Sequence, residues 1–587
     1  TGVECAKNNY LAHSKVKSIS TANNTTNIQY NLLTDSAVYS KQSGLNGADA
    51  IIQIQPASYV ASQIESSNGI GGLNTTTYQY EGFRYHIPAR KSLGFAKVSS
   101  TDLITGNRVE RIYSQDYENR THGMLKQEII KASNGTELSN ATYKFLTNKR
   151  TSSEVPGFIY EPYVEKVTKI TKDHSGIVTN DTVIDIVKST DGYGDLQSRT
   201  EKNRTLGNAV PDFNETFTYK RGVANNQLIS QVDTHVQTSG DKTRTTKFSN
   251  YDSNGRLKTL IIEPNDQPLN IFYGYDDFGN IDRVVESAVN MATRETITDY
   301  DMNGLYVNYA ENAEKFKDFT VTAYDKRFGQ PTAVLDANNQ LTEIAYDALG
   351  RIIWQKNPDN TELTVGYQWC STSSVYCQTN ELYAETTTAS GQAPITRYFD
   401  SFNRELRNTH SGFDGGLIYQ KFSFNEIGGI ASVSEPYTGN APTDSTITEY
   451  DTLWRAFKTI NPDGSSREIT DFNGLEITER NELNQYKTTK YDPLGRVWKT
   501  TDAKYTETDF VYGGFGNLEQ TSVAGTYSLI TYDNRGRKTS MTSDANGPTD
   551  VTAPRYDYTY NAFGEMITQT DPNGSVTCYA YDKLGRM

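Results

Sequence analysis

The residue types that do chemistry are all present in this chain, but their spacing does not bring them together. Six histidines, His13, His86, His122, His174, His235 and His410, lie scattered, with no His-x3-His or His-Glu-x-x-His spacing, so no metal site is expected. Gly69-Ile70-Gly71-Gly72 is too short for a dinucleotide loop and leads into no helical pattern, which makes it a linker. A Gly-x-Ser-x-Gly elbow, a phosphate-binding loop and an acidic calcium loop are all missing from the sequence. Of four cysteines, Cys5 and Cys578 are isolated, while Cys370 and Cys377 close a short loop. That spacing admits a disulfide or two free thiols, and geometry decides between them. The expectation is a protein with no catalytic set, no metal and no cofactor.

What does recur is an ionisable pair in a fixed frame: Tyr-Asp-x-x-Gly-Arg, then an apolar residue. It reads Tyr251, Asp252, Gly255, Arg256; Tyr346, Asp347, Gly350, Arg351; and Tyr491, Asp492, Gly495, Arg496. It returns as Tyr532, Asp533, Gly536, Arg537 and as Tyr581, Asp582, Gly585, Arg586. Weaker copies begin at Tyr275, Tyr300, Tyr324, Tyr398, Tyr450, Tyr512 and Tyr560, and two have lost the tyrosine, at Phe424 and at Asp471. Residues repeated this often are expected to be structural contacts of a turn rather than catalysts.

The frame names its own element. Asp-x-x-Gly is a turn, in which the aspartate side chain bonds nearby backbone amides and glycine supplies a positive φ. A second turn signal falls about midway between copies, as in Asn357-Pro358-Asp359-Asn360, Asn461-Pro462-Asp463-Gly464, Asp544-Ala545-Asn546-Gly547 and Asp571-Pro572-Asn573-Gly574. Thr506, Thr508, Phe510 and Tyr512 alternate with Glu507 and Asp509, a period of two. Each repeat is therefore two strands and two turns, and no stretch reads as an amphipathic helix. Roughly fourteen units at ~4.8 Å per strand give a ribbon about 130 Å long. Open sheets seldom pass ~10 strands without curling, so this one must spiral or close.

Composition agrees. Only 35% of residues are hydrophobic, yet aromatics reach 11% with 40 Tyr, which separates the chain from disordered sequences poor in rings. Tyrosine suits a thin wall, apolar on its ring and wet at its tip. A net charge of −14 argues against nucleic-acid partners, and no apolar run is long enough for a membrane-spanning segment. Thr1 to Cys5 carry neither an initiator Met nor a signal pattern, so the chain is expected to be a piece of a longer polypeptide.

On these motifs the sequence resembles the YD-repeat or Rhs family: bacterial Rhs proteins, the B and C components of toxin complexes, and the extracellular part of teneurins. Strong coverage runs over 251–587, the tandem repeats. Residues 160–250, with Thr190-Asp191-Gly192-Tyr193-Gly194, look like diverged copies. Residues 78–159, with Tyr78-Gln79-Tyr80-Glu81-Gly82, Leu93-Gly94-Phe95, Thr105-Gly106, Tyr113 and Gly123, resemble the segment before the repeats in toxin-complex B components. Residues 1–77 form a strand-rich segment at the end of an upstream module. The resemblance implies an all-β, hollow shell that encloses a C-terminal, toxin-like cargo. Its Asp-Pro-x-Gly-Leu closing segment is not recognisable here, since Ser575 follows Gly574, so the shell is expected to be open at the C-terminal end with plug and payload downstream.

Ser371-Thr372-Ser373 resembles a tripeptide of ADP-ribosyltransferases, but the Glu-x-Glu they need is replaced by Glu381 and Glu385, four apart. Asn-x-Thr triplets at Asn74, Asn119, Asn134, Asn180 and Asn214 would accept glycans in a eukaryotic secretory pathway and are plain composition in a bacterial one. The expected role is a secreted or cell-surface, non-enzymatic scaffold. Its partner would be a cargo domain of the same polypeptide or a second shell subunit. The alternative is an adhesion or carbohydrate-binding protein, with Trp354, Trp369, Trp454 and Trp498 as contacts to glycans unless they serve cross-strand packing.

Overall fold

The computed structural model describes residues 2–5, 15–21, 24–42, 50–151, 158–189, 194–205, 210–224, 227–370, 377–451, 453–547, 549–550 and 552–587. The Ser371-Thr372-Ser373 tripeptide and most of the Thr190–Gly194 copy lie outside these residues.

The chain is all-β. Its only helical element among the described residues is a three-residue 3-10 turn, Gly514–Gly516. The strand pattern follows the alternation of side chains: in Glu507–Tyr512, Glu507 and Val511 are exposed while Thr508, Phe510 and Tyr512 are half-buried. Among the described residues, forty-four strands join one sheet. From Lys97–Asp102 to Val576–Cys578 each strand pairs antiparallel with the next, a meander without a crossover. At the N-terminal side the chain leaves the meander twice. Those excursions form a small three-stranded sheet of Ile51–Gln53, Arg84–His86 and Lys91–Gly94.

That corner holds a compact apolar cluster. Leu33, Val38, Tyr39, Leu93 and Ala96 are buried there, and Phe95 meets the rings of Tyr39, Tyr80 and Phe83. Among the described residues of 251–587 the buried apolar side chains are only Leu269, Ala313, Val321, Ala384, Tyr398 and Ala562. A sheet with so little under it is a wall. The accessible surface shows the same: 33497 Å², against about 20,700 Å² for a compact monomer of 65.6 kDa.

The ribbon winds and then meets itself. With the described strands counted in chain order, the turn before the nineteenth, Lys242–Tyr251, touches the turn before the forty-second, Leu518–Val523. The turn before the twenty-first, Leu269–Tyr275, touches that before the forty-fourth, Lys538–Ala545. The turn before the fifteenth, Val178–Lys188, touches that before the thirty-eighth, Glu476–Arg480. One round of the spiral thus takes 23 strands. At ~4.8 Å per strand the circumference is about 110 Å and the diameter about 35 Å. The rounds are joined at their edges by side chains and turns; no ladder of backbone hydrogen bonds closes the sheet, and Gly2–Cys5 and Val576–Cys578 each pair on one side only.

A hollow spiral has its mass at the periphery. A wall of this diameter and a compact 587-residue globule have similar radii of gyration, about 25 Å, so small-angle scattering discriminates by the form of the curve, which is expected to carry the secondary maximum of a hollow body. A curve that fits a filled globule would contradict the single-layer wall.

Candidate functional site

The repeated frame builds one turn many times over. At Asp492, the backbone N–H groups of Leu494 and Arg496 both donate to Oδ1 at 2.9 Å, and Arg496 Nε donates to Oδ2 at 2.6 Å. Gly495 N–H closes the turn on the Asp492 carbonyl. The arginine's amide and guanidinium contacts recur in Asp252–Arg256, Asp347–Arg351, Asp400–Arg404, Asp451–Arg455, Asp533–Arg537 and Asp582–Arg586, with Nε to Oδ2 at 2.6–2.7 Å in every case. A register shift at Lys490/Tyr491 marks the bulge that goes with such a hairpin. Gly495 supplies φ +80°. The copy read from Tyr398 is shifted by one residue: Asp400 makes the turn, so Phe399 holds the ring position. In the copy at Tyr450 the glycine position is Trp454, with φ +61°.

Tyrosine and arginine tie one repeat to the next. Tyr512 donates its hydroxyl to the Val497 carbonyl at 2.7 Å. Val497 lies beyond the ladder between its strand and the next, which begins at Lys499 and Asp509, so the phenol satisfies a carbonyl that the sheet leaves over. Tyr275, Tyr346, Tyr532, Tyr560 and Tyr581 do the same for Leu257, Pro331, Leu518, Lys538 and Met566. The Arg496 guanidinium lies 4.4 Å from the Tyr512 ring centre, Arg256 lies 4.5 Å from Tyr275, and Arg455 lies 3.7 Å from Phe472. In all of these turns but the last, Asp582–Arg586, the arginine that the aspartate holds covers a ring of the strands that follow. Burial pushes the Tyr275, Tyr346, Tyr532 and Tyr560 phenols up from their usual range.

The two edges of the ribbon are unlike. One carries the Tyr-Asp turns, the other the midway turns, which use the same aspartate geometry without the arginine, as at Asp502 and Asp571. Along the seam the Tyr-Asp edge of the second round rests on the midway edge of the first. Asn24 and Ser401 exchange hydrogen bonds. Arg404 Nη2 donates to the Asn68 carbonyl, and Phe402 presses so close to Gly69 that a Cβ there would stand 2.3 Å from its ring. Asn180 donates to the Pro493 carbonyl and Arg244 to the Asn534 carbonyl. Arg535 reaches the Gln267 carbonyl at 2.5 Å. Arg294 pairs with Glu565 at 2.6 Å over the Phe563 ring. Phe515 lies between Phe213 and the Arg244 guanidinium. Phe402, Phe515, Arg535 and Phe563 all come from the second variable position of the Tyr-Asp frame. Sequence reasoning passed over that position, although a large apolar residue in a tight exposed turn was its signal.

Cys370 and Cys377 are joined by a disulfide, with Cα atoms 5.8 Å apart. Just beyond it, Glu381 is buried against Arg407 (Nε to Oε1 2.8 Å) and also accepts the Gln378 N–H. That pair anchors the loop where the second round begins. Glu381 is thus spent on packing. Among the histidines, His86 stacks on Tyr117, and His235 stacks on Phe217 and pairs with Glu215. Trp354 donates to Glu362, and Trp369 packs edge-on against Tyr383 while staying 62% exposed.

Two consequences are measurable. Tyr512→Phe removes one hydroxyl bond between repeats and is expected to cost about 1 kcal/mol in denaturant unfolding. Gly495→Ala meets no neighbour within 4 Å, so its expected cost, about 1 kcal/mol, is the left-handed backbone alone. The carboxyls of Asp252, Asp347 and Asp582 are held below the usual range, first by the backbone N–H of the arginine four residues on. A carboxylate lowered on folding contributes stability above its unfolded value near 3.8, and that contribution is lost as pH falls through the lower folded value. The melting temperature is therefore expected to hold from pH 7 to about 5 and to drop below about 4; a flat profile down to pH 2.5 would refute the turn assignment.

Comparison with known proteins fits this geometry. The RHS repeat family model matches residues 555–587. No curated protein matches the chain. Solved structures do. The crystal structure of TcdB2-TccC3-Cdc42 aligns with a TM-score of 0.72 at 11% identity, over 96% of this chain and 42% of the other. TcdB2-TccC3 without its hypervariable C-terminal region gives 0.71 at 11%, over 96% and 42%. The Photorhabdus luminescens Tc holotoxin pore, with a mutated TccC3, gives 0.74 at 11%, over 96% and 41%. The chain spans about two fifths of the length of these structures, and at such identity the likeness establishes the fold. Repeat frame and family match together make residues 555–587 an RHS repeat, and the chain as a whole has the fold of the TcdB2-TccC3 structures.

Proposed function

We propose that this chain is the wall of a container: a non-enzymatic scaffold, secreted or at the cell surface, whose shell encloses a C-terminal, toxin-like segment of a longer polypeptide. The carrying observation is the seam, by which a ribbon one sheet thick meets its own edge every 23 strands. A wall closed in this way separates an inside from an outside. The division into 1–77, 78–159, 160–250 and 251–587 belongs to the same proposal. So does the structural role of the Tyr, Asp, Gly and Arg positions, whose contacts serve the turns and their neighbours. The adhesion reading rests on Trp369, the tryptophan with the largest exposed ring, and stands behind the container reading because Trp454 serves as a turn residue.

The test uses the chain together with the polypeptide that follows it. A protease is expected to spare the downstream segment while the wall is intact. It should cut that segment once Arg294→Met and Arg535→Met have weakened the seam. A downstream segment digested equally fast in both proteins would sink the container reading.

A further inference from the structure

The disulfide sits where the seam begins. Cys370 follows strand Glu362–Trp369 and Cys377 starts the run that leads into strand Tyr383–Ala389, and these two strands are paired. That run is held on several sides. Cys370 N–H donates to the Leu382 carbonyl, and Leu382 N–H donates to the Phe399 carbonyl of the next strand. Glu381 accepts the Gln378 N–H together with Nε and Nη2 of Arg407, whose guanidinium lies 3.7 Å from the Tyr398 ring centre. From Phe399 the chain passes directly into the Asp400 turn. There Ser401, Phe402 and Arg404 meet Asn24, Gly69 and the Asn68 carbonyl of the first round. One relay thus joins the disulfide to the first contacts of the seam. The bond is also within reach of solvent. A cavity of about 700 Å³ lies between the run and the first round, lined by Cys377 and Glu381 on one side and by Ile70 on the other. Both cysteines are half-buried, whereas Glu381 and Arg407 are buried.

We propose that Cys370–Cys377 is a reducible latch on the seam, which a dithiol reductant opens, freeing the Asp400 turn from the first round through Glu381 and Arg407. A thiolate of the reductant attacks the Cys377 sulfur from the cavity. The S–S bond breaks, and its electron pair leaves on the Cys370 sulfur, which takes up a proton. The reductant's second thiolate then attacks its own sulfur in the mixed disulfide and releases Cys377, which is protonated in turn. The protein gains two electrons and two protons, and the dithiol becomes a cyclic disulfide. With the bond open, the run from Cys377 to Leu382 regains conformational freedom. Glu381 is the group most sensitive to that freedom, because a buried carboxylate and guanidinium are stable only while each keeps the other. Oxidising surroundings keep the start of the seam engaged and thiol-rich ones release it, while distant contacts such as Arg535 with Gln267 stay in place. Such a latch acts on the seam itself, with or without a cargo inside.

The experiment is hydrogen exchange, read by mass spectrometry, on the full chain after air oxidation and again after treatment with dithiothreitol. Reduction is expected to release two thiols and to speed exchange about tenfold or more over residues 378–382, 400–404 and 68–72. Residues 262–267 and 533–537, at a distant part of the seam, are expected to keep their rates, and reoxidation is expected to restore slow exchange throughout. A double variant, Cys370→Ser with Cys377→Ser, is expected to exchange like the reduced chain and to ignore dithiothreitol. The comparison of oxidised with reduced unmodified chain does not depend on that variant folding. Rates over 400–404 and 68–72 that are the same with the bond closed and open would overturn the proposal. Equal acceleration at both parts of the seam, the mark of general loosening, would overturn it as well, and so would an air-oxidised chain that lacks the bond.

Discussion

A sheet one layer thick has no second layer to bury itself against, and every feature of this chain answers to that constraint. In a sandwich or a barrel with a filled centre, apolar burial supplies most of the driving force. Here most residues stay half-exposed, and few apolar side chains beyond the N-terminal corner are fully covered. Stability must then be collected along the ribbon, from neighbour to neighbour. The Asp–Arg–ring relay does this. It places a charge-assisted pair, a cation over a ring and a phenol on a leftover carbonyl at each junction, contributions of the order of 0.5–1.5 kcal/mol each. None is large. Their regular spacing makes them cumulative, in the manner of repeat proteins whose stability is a sum of nearest-neighbour contacts.

Curvature follows from the same economy of contacts. Strands twist, and a long free sheet splays at its ends unless something holds its edges. The glycines and aspartates fix identical bulged hairpins at one edge, so each repeat adds nearly the same rotation. Constant rotation brings each strand against the one 23 places further on and turns two exposed rows of turns into one interface. Along its length this interface mixes polar contacts, Asn24 with Ser401 and Arg294 with Glu565, with aromatic ones, Phe402 on Gly69 and Phe515 on Phe213. An interface built from turns lacks the cooperativity of a ladder, and so can part without unfolding the strands on either side.

The legibility of this structure in its sequence falls off with distance along the chain. The Asp-x-x-Gly part of the turn could be read residue by residue, from an aspartate that bonds the amide two residues on and a glycine with positive φ, whereas the return of the arginine to the same carboxylate emerges only in the folded turn. The alternation of Thr506 to Tyr512 likewise gave the strands, and with them the all-β class. The tyrosine's partner was harder: Val497 is fifteen residues before Tyr512, and only the bulge makes its carbonyl need a donor. The one-residue shift at Tyr398 was hidden because Phe399 looks like a strand residue until Asp400 is seen in the turn. The disulfide was undecidable from spacing, since its closure depends on where strands Glu362–Trp369 and Tyr383–Ala389 hold the loop ends. The seam pairs Asp173 with Gly474 and Asn24 with Ser401, partners some three hundred or more residues apart. Such pairs follow from accumulated twist, a property of the whole ribbon that no local pattern encodes.

The asymmetry between the two edges gives the ribbon a direction. If both edges carried arginine turns, two rounds would meet with guanidinium against guanidinium, where Arg404 and Arg535 now meet carbonyls of the midway edge. With arginine confined to the Tyr-Asp edge, most guanidiniums are occupied within their own repeats, and the midway edge offers carbonyls and glycines. Docking is then possible in one sense only, Tyr-Asp edge upon midway edge. The exceptions prove informative: Arg244 and Arg294 sit on the midway edge, and each lies over the aromatic ring, Phe515 or Phe563, that the opposite turn presents. A cation placed there meets a π face instead of another cation, so even the residues that break the pattern keep its polarity.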